Sequence, residues 1–211
     1  MARKKNTCSL KELVSMEYET IAWKNEAFRE LVGDAESRGS WIVWGKSFNG
    51  KSSFAMKLMQ ELAEIGYSVL YVSNEEGFGK SLRDRVKGLV GLDIRFMKDA
   101  RKEDLEKELH KQRSAKCIIV DSIQYLGINQ AGYNRLRRLF PNKLWVWISH
   151  ANDKEQPKGI GDYVRYDSDV KIVVSNFVAN ANSRFGGGKS LVVWDRKADM
   201  LQEKDNLEEE K

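Results

Sequence analysis

The sequence predicts an α/β fold in which helices flank a mostly parallel central sheet, with a β-hairpin at the C-terminal end. From residue 41 onward, four continuously apolar runs alternate with polar stretches of helical spacing, which is the order of β-α units. The runs contain no charged residue, as strands covered on both faces require. With 41% hydrophobic residues among 211, the chain is also long enough for one substantial core.

The predicted elements follow one another in the order expected of such a sheet. The apolar runs that we interpret as central strands cover residues 41–44, 69–72, 117–120 and 144–148. Apolar spacing, with Gly66 and Pro141 as end signals, predicts helices over residues 51–65, 79–90, 102–111 and 131–140. Two further strands are expected at residues 170–174 and 191–194, joined as a hairpin by a flexible turn within residues 183–190.

Three segments are expected along the chain. They are an N-terminal helical extension at residues 1–39, the α/β core at residues 40–197, and a charged, disordered tail at residues 198–211. One or two helices are expected in the extension, where Trp23, Phe28 and Leu31 form an apolar stripe. We expect this stripe to pack against the core, and an interface with a partner is the alternative.

Composition excludes several classes of protein. Two cysteines give no disulfide framework, and no apolar segment approaches the roughly 20 residues needed to cross a bilayer. The start, residues 1–6, is basic but lacks the apolar stretch of a secretory signal. We therefore expect a cytoplasmic protein that does not bind membranes. The net charge of +5 suits an anionic partner, although many basic proteins bind no nucleic acid.

A phosphate-binding loop is predicted between the first strand and the first core helix. Residues 45–52 match G-x-x-x-x-G-K-[ST], whose glycines let backbone N–H groups surround phosphate oxygens at a helix N-terminus. In such a loop the lysine reaches the β- and γ-phosphates and the hydroxyl binds Mg²⁺. We therefore expect ATP to bind to Gly45, Lys46, Ser47, Phe48, Asn49, Gly50, Lys51, Ser52 and Ser53.

Polar side chains follow the other central strands. In parallel sheets the ligand lies beyond the carboxyl ends of the strands, so Glu75, Asp121 and His150 are expected near the phosphate loop. Glu75 would orient or deprotonate the attacking water, and Asp121 would hold Mg²⁺ together with Ser52. His150 would sense the γ-phosphate. Each residue has an alternative interpretation. Glu75 could be an ordinary acid in the first turn of a helix, Asp121 could cap the next helix, and His150 could be a structural histidine.

With these residues in place, the chain resembles the RecA-like P-loop ATPases, and within them the RadA (Sms) repair ATPase and the replicative-helicase motor core. The resemblance spans residues 40 to about 195 and includes the stretches Y-V-S-N-E-E, V-D-S-I-Q and I-S-H. It implies that Lys51, Glu75, Asp121 and His150 are catalytic. It also implies a homo-oligomer, either a ring or a filament, with ATP between subunits.

The RadA motif K-N-R-F-G is only partly present, because Asn182 and Ser183 stand where lysine and asparagine are expected. Arg184 remains, and the resemblance implies that it couples the nucleotide to DNA or to the adjacent subunit. The polar segment between His150 and Asp169 lies where RecA-like proteins bind DNA. Single-stranded DNA contacts are expected there from its cations and aromatics, which are Lys154, Lys158, Arg165, Tyr163 and Tyr166.

Three functions compete at this point. The leading hypothesis is a DNA-dependent ATPase of recombination, repair or replication. The second is a nucleotide-switched regulatory or helicase-loader module that binds a protein partner and hydrolyses ATP slowly. The third is a small-molecule kinase. Such an enzyme would use the same loop, but this sequence shows no Arg-rich lid to accompany it. For the polar segment after His150, the alternative is a mobile loop without a ligand.

Overall fold

The fold is known from a computed structural model that describes residues 7–194. The basic start at residues 1–6 and the predicted tail lie outside these residues. The strands are β1 Gly39–Gly45, β2 Val69–Ser73, β3 Ile94–Met97, β4 Cys117–Asp121, β5 Leu144–His150, β6 Val170–Ser175, β7 Val178–Ser183 and β8 Leu191–Val192. The helices are α1 Leu10–Val14, α2 Glu26–Val32, α3 Lys51–Glu64, α4 Lys80–Val86, α5 Lys102–Leu109, α6 Gln130–Leu139 and α7 Ile160–Asp167, with a 3₁₀ turn at Lys87–Leu89 after α4.

The strands form one sheet in the order β3-β2-β4-β5-β1-β6-β7-β8. Strands β3 to β6 in this order are parallel, and β7 and β8 are antiparallel to their neighbours. The mostly parallel sheet with a C-terminal antiparallel hairpin is therefore confirmed, but the predicted partners of the hairpin are wrong, because β7 lies between β6 and β8 and pairs with both. The four apolar runs form β1, β2, β4 and β5, which occupy the interior of the sheet, where helices cover both faces.

Alternating side chains of the strands enter two separate cores. On one face, Trp41 and Val43 of β1 pack with apolar residues of α2, α3 and α4. On the other face, Ile42 packs with residues of α5, α6 and α7. Because side chains alternate between faces along a strand, an unbroken apolar run is what two helical layers require.

Helix α2 and Trp23 of the N-terminal extension pack against the first of these cores, whereas α1 buries no residue. Phe28 and Leu31 of α2 are buried, and the ring of Trp23 stacks on Phe28 with centroids 5.7 Å apart. The interpretation of the apolar stripe as core packing is therefore confirmed. The glycine-rich turn between β7 and β8 binds the same helix, since Gly188 N donates to the Leu31 carbonyl at 3.1 Å. That turn is held in place rather than free, which corrects the expectation of a flexible turn.

Four elements differ from the sequence expectations. The edge strand β3 and the strand β7 were not predicted, and β8 covers only the first half of the expected strand at residues 191–194. Helix α7, at Ile160–Asp167, forms the second half of the segment after His150, for which the expectation was a DNA-binding loop and the alternative a mobile loop without a ligand. Gly161 is buried within it, so this glycine serves close packing rather than freedom of motion. Within residues 7–194, no helix has the length and apolar character needed to span a membrane.

Candidate functional site

The phosphate loop connects β1 to α3 as predicted, and its two fixed glycines have steric roles. A Cβ on Gly45 would lie 2.1 Å from the carbonyl oxygen of Val174 in β6. Gly50 has φ +99°, and a Cβ there would lie 2.8 Å from the ring of Phe177. The loop is thus packed between β1 and the β6–β7 turn, and only glycine fits at both positions.

Lys51 begins α3 and lies buried at the base of the loop. Its Nζ donates to the carbonyl oxygen of Lys46 at 2.9 Å. Burial lowers the pKa of Lys51, while the negative charges of Glu75 and Asp121 act in the opposite direction. The structure therefore brings the lysine and both predicted carboxylates into one electrostatic neighbourhood.

Asp121 ends β4 directly beneath Ser52. Its Oδ2 accepts hydrogen bonds from Ser52 Oγ at 3.2 Å and from the hydroxyl of Tyr71 at 2.6 Å. Its Oδ1 is buried and has no hydrogen-bond partner among residues 7–194. Burial raises the pKa of Asp121, and the two hydrogen bonds oppose that rise.

A hydroxyl and a carboxylate with one spare oxygen match what Mg²⁺ prefers, so Ser52 and Asp121 fit the expected cation. The helix-cap alternative for Asp121 is wrong, because α6 begins only at Gln130.

Glu75 and His150 meet beside these residues. Glu75 Oε2 lies 3.3 Å from Nε2 of His150, and the same nitrogen lies 3.2 Å from Ser122 Oγ. Glu75 sits in a turn after β2, five residues before α4 begins at Lys80, so the alternative of an acid in a helix N-terminal turn is wrong. The sheet therefore places an acid, a histidine and a hydroxyl at one edge of the phosphate loop.

A cleft of about 440 Å³ opens over the loop. Lys51, Ser52 and Glu75 line it, and Arg85 of α4 stands on its wall. Arg85 forms an ion pair with Glu76, and it was not predicted. The only sequence signal for it is a cation on the helix that follows the acidic turn. Phe177 and Trp194 form an aromatic part of the wall.

The segment at residues 151–159 is attached to the phosphate loop. Lys46 Nζ lies 2.8 Å from Glu155 Oε1, and Trp44 Nε1 donates to the Glu155 carbonyl at 3.0 Å. Gln124 Nε2 donates to the carbonyl of Lys158 at 2.9 Å. Lys154 and Lys158 are exposed on this segment. The expected DNA segment is therefore linked both to the phosphate loop and to the end of β4.

The remaining predicted DNA residues are less available. Tyr163 exchanges hydrogen bonds with Asn134 and packs edge-on against Tyr133, so its ring belongs to the core, which corrects the expectation of base stacking. Arg165 is paired with Asp162 at 2.9 Å. Tyr166 is 68% exposed.

Arg184 lies next to the amino-terminal ends of the parallel strands, whereas the phosphate loop lies at their carboxyl ends. It follows β7 and pairs with Asp169 at 3.1 Å, just before β6 begins. The structure does not bring it together with the phosphate loop of its own chain. A role across a subunit boundary stays a prediction.

Part of the sequence is similar to curated proteins. The chain is 34% identical over 131 residues to the DNA repair protein RadA of Treponema pallidum, covering 59% of this chain and 28% of RadA. It is 28% identical over 108 residues to RadA of Chlamydia muridarum, covering 50% and 24%. The chain thus spans about a quarter of the length of these curated relatives. No protein-family profile matches it.

Solved structures show the same fold at low sequence identity. The flagellar accessory protein FlaH of Methanocaldococcus jannaschii superposes with a TM-score of 0.57 at 18% identity, covering 79% of this chain and 88% of that one. A KaiC-like protein of Pyrococcus horikoshii gives 0.61 at 16% identity, covering 82% and 94%. The chain has the fold of the RecA-like P-loop ATPases, and its sequence is related to that of the bacterial DNA repair protein RadA.

Proposed function

We propose that the chain binds ATP with Mg²⁺ and hydrolyses it in the cytoplasm as a motor core acting on DNA in recombination, repair or replication. The observation that carries the proposal is the convergence of five polar side chains on one phosphate loop. They are Lys51, Ser52, Glu75, Asp121 and His150. Sequence similarity to RadA supports the reference to DNA.

Nucleotide binding rests on the loop and on Lys51. Backbone N–H groups at the start of α3 point toward the phosphates, and the helix N-terminus favours their negative charge. When nucleotide binds, the ammonium of Lys51 leaves the carbonyl of Lys46 and donates to phosphate oxygens instead. These are stronger acceptors because they are charged. Ser52 and Asp121 would hold Mg²⁺, which offsets the charge that develops on the phosphate oxygens.

Hydrolysis rests on Glu75. Its carboxylate orients the attacking water and accepts its proton, as a general base does. His150 Nε2 lies 3.3 Å from that carboxylate, so the histidine holds the glutamate in place. Ser122 Oγ also contacts the same ring nitrogen, at 3.2 Å.

Coupling to single-stranded DNA is assigned to the segment at residues 151–159. Lys154 and Lys158 neutralise DNA phosphates. Because Glu155 in this segment is paired with Lys46 of the phosphate loop, a change at the loop is transmitted directly to the segment. We further propose a homo-oligomer, ring or filament, in which Arg184, 67% exposed at the far edge of the sheet, faces the cleft of a neighbouring subunit.

The test is ATP turnover measured with and without single-stranded DNA. Strong stimulation by DNA is expected, and Glu75→Gln is expected to lower turnover by about 10²–10⁴-fold while nucleotide binding remains. Lys51→Ala is expected to abolish binding itself. The matched control is Lys57→Ala, an exposed lysine on the same helix, which should leave both quantities unchanged.

The DNA assignment has its own measurement. Replacing both Lys154 and Lys158 with alanine is expected to lower the affinity for single-stranded DNA and to reduce the slope of log affinity against log salt by about 1.4, which is about 0.7 for each phosphate contact. If DNA does not change the rate of ATP turnover and the protein is not retained on DNA at low salt, the regulatory or loader function is favoured instead. Failure to bind any purine triphosphate in magnesium buffer would refute the proposal.

A further inference from the structure

A tyrosine hydroxyl lies buried next to the carboxylate assigned to the cation. Tyr71, in the middle of β2, is 1% exposed, and its hydroxyl donates to Asp121 Oδ2 at 2.6 Å. A phenylalanine would fill the same space in this strand, which is otherwise apolar up to Ser73. A buried hydroxyl is unfavourable unless it is hydrogen-bonded, so its presence here calls for a role.

The position of this hydroxyl is set by the sheet. Tyr71 pairs with Phe96 in β3 and with Ile119 in β4, two residues before Asp121. Its ring also contacts that of Phe96, with centroids 5.8 Å apart. Held by strands on both sides, the ring presents its oxygen at a fixed place beneath the end of β4.

The hydrogen bonds divide the two carboxylate oxygens of Asp121 between different tasks. Tyr71 and Ser52 both donate to Oδ2, whereas Oδ1 has no partner within the described part of the chain. Rotation of the carboxylate would break both bonds. The unpartnered oxygen is therefore kept in one direction.

We propose that Tyr71 is a positioning residue that orients Asp121 to bind the magnesium–nucleotide complex. The inference rests on the Mg²⁺–ATP site proposed above and adds a residue to it. Partners that orient metal-binding carboxylates are worth about 10- to 100-fold in metal affinity. Because Ser52 supplies a second hydrogen bond, the lower end of that range applies.

The chain contains a matched pair of the same chemistry far from the site. Tyr133 is fully buried, and its hydroxyl donates to Asp167 Oδ2 at the same distance of 2.6 Å. Asp167 ends α7, and Tyr133 also contacts Ser40 near the start of β1, at the opposite edge of the sheet. Tyr133→Phe therefore removes the same kind of hydrogen bond without touching the cleft.

The experiment measures the affinity of N-methylanthraniloyl ATP by fluorescence, once in Mg²⁺ and once in EDTA. The ratio of the two affinities reports how strongly the cation and the nucleotide support each other. In Tyr71→Phe this ratio is expected to fall about tenfold, with the affinity in EDTA unchanged. In Tyr133→Phe the ratio should equal that of the wild type. A purely structural role would lower both affinities together.

A second pair of variants covers the case in which Tyr71→Phe does not fold. Asp121→Asn is compared with Asp121→Asn combined with Tyr71→Phe, where both partners of the bond are replaced. Equal ratios in these two proteins support a role through Asp121, and a further fall in the double variant overturns it. An unchanged ratio in Tyr71→Phe also overturns the inference while leaving the nucleotide site intact. Wild-type protein that binds no nucleotide would instead refute the proposed function.

Discussion

Replacement of Gly161 by alanine distinguishes a packed helix from a mobile loop, because the two predict opposite changes in the free energy of unfolding. In a mobile loop, Gly→Ala stabilises a protein by about 0.4–1 kcal/mol, because it restricts the unfolded chain. In α7, a Cβ on Gly161 would lie 2.2 Å from Ser149 Oγ and 2.9 Å from Ser149 Cβ. The structure therefore predicts a loss of stability where the loop hypothesis predicts a gain.

The size of the loss follows from two opposing effects. Alanine gains no more than about 1 kcal/mol over glycine, the helix-interior value, because Gly161 is the second residue of α7. Overpacking costs about 1–3 kcal/mol, and turning Ser149 away loses its bonds to Gln124 and to the His150 carbonyl, at about 1 kcal/mol each. We expect a net decrease of about 2–4 kcal/mol in the free energy of unfolding, which is the overpacking and hydrogen-bond losses less the helical gain.

Urea unfolding followed by circular dichroism is the assay. Gly88→Ala is the control, because this exposed glycine has nothing within 4 Å of its added Cβ, and it should be stabilised or unchanged. Combining Gly161→Ala with Ser149→Ala should restore part of the loss, since the nearest atom is removed. Stabilisation by Gly161→Ala, equal to that of Gly88→Ala, would refute the packing of α7 against β5.

Two further predictions concern stability. Glu61 is buried and accepts the backbone N–H groups of Lys24 at 2.6 Å and Asn25 at 2.8 Å, so Glu61→Ala is expected to lower the free energy of unfolding by about 2–4 kcal/mol, while the exposed Glu64→Ala leaves urea unfolding nearly unchanged. An equal effect of both variants would contradict this. Burial raises the pKa of Tyr67 to about 12, so the folded state favours the neutral phenol. The stability that this gives is fully present below pH 10 and is lost as pH rises from 10 to 12. Thermal melts should show a shallower decline in Tyr67→Phe over this window, and parallel declines would contradict the assignment.

The interior strands of the sheet were predictable because burial on both faces requires continuous apolar sequence. Strands β1, β2, β4 and β5 face helices on both sides, so the central positions of each strand are apolar and polar residues appear only toward the strand ends. The edge strand β3 is only partly buried and includes Arg95, and β7 alternates small or apolar residues with Asn and Ser. Such strands owe their pairing to neighbours distant in the chain, which local pattern does not reveal.

The site was predictable in part for a similar reason. The carboxyl ends of parallel strands share one edge, so the residues after each apolar run were placed together without knowledge of the fold. Glu75, Asp121 and His150 meet that expectation. Tyr71 lies within an apolar run and was taken as core, and Arg85 depends on the orientation of α4. Neither the depth of a hydroxyl nor the direction of a helix follows from spacing along the chain.

Helix α2 joins the N-terminal extension to the core. Its start is bound by Glu61 and its end by Gly188, and the rings of Trp23 and Phe28 contact those of Trp41 and Phe54. A chain trimmed to begin at residue 40 would expose these aromatic surfaces to water, and we expect it to associate through them. A shortened version of this chain should therefore keep Trp23 and α2.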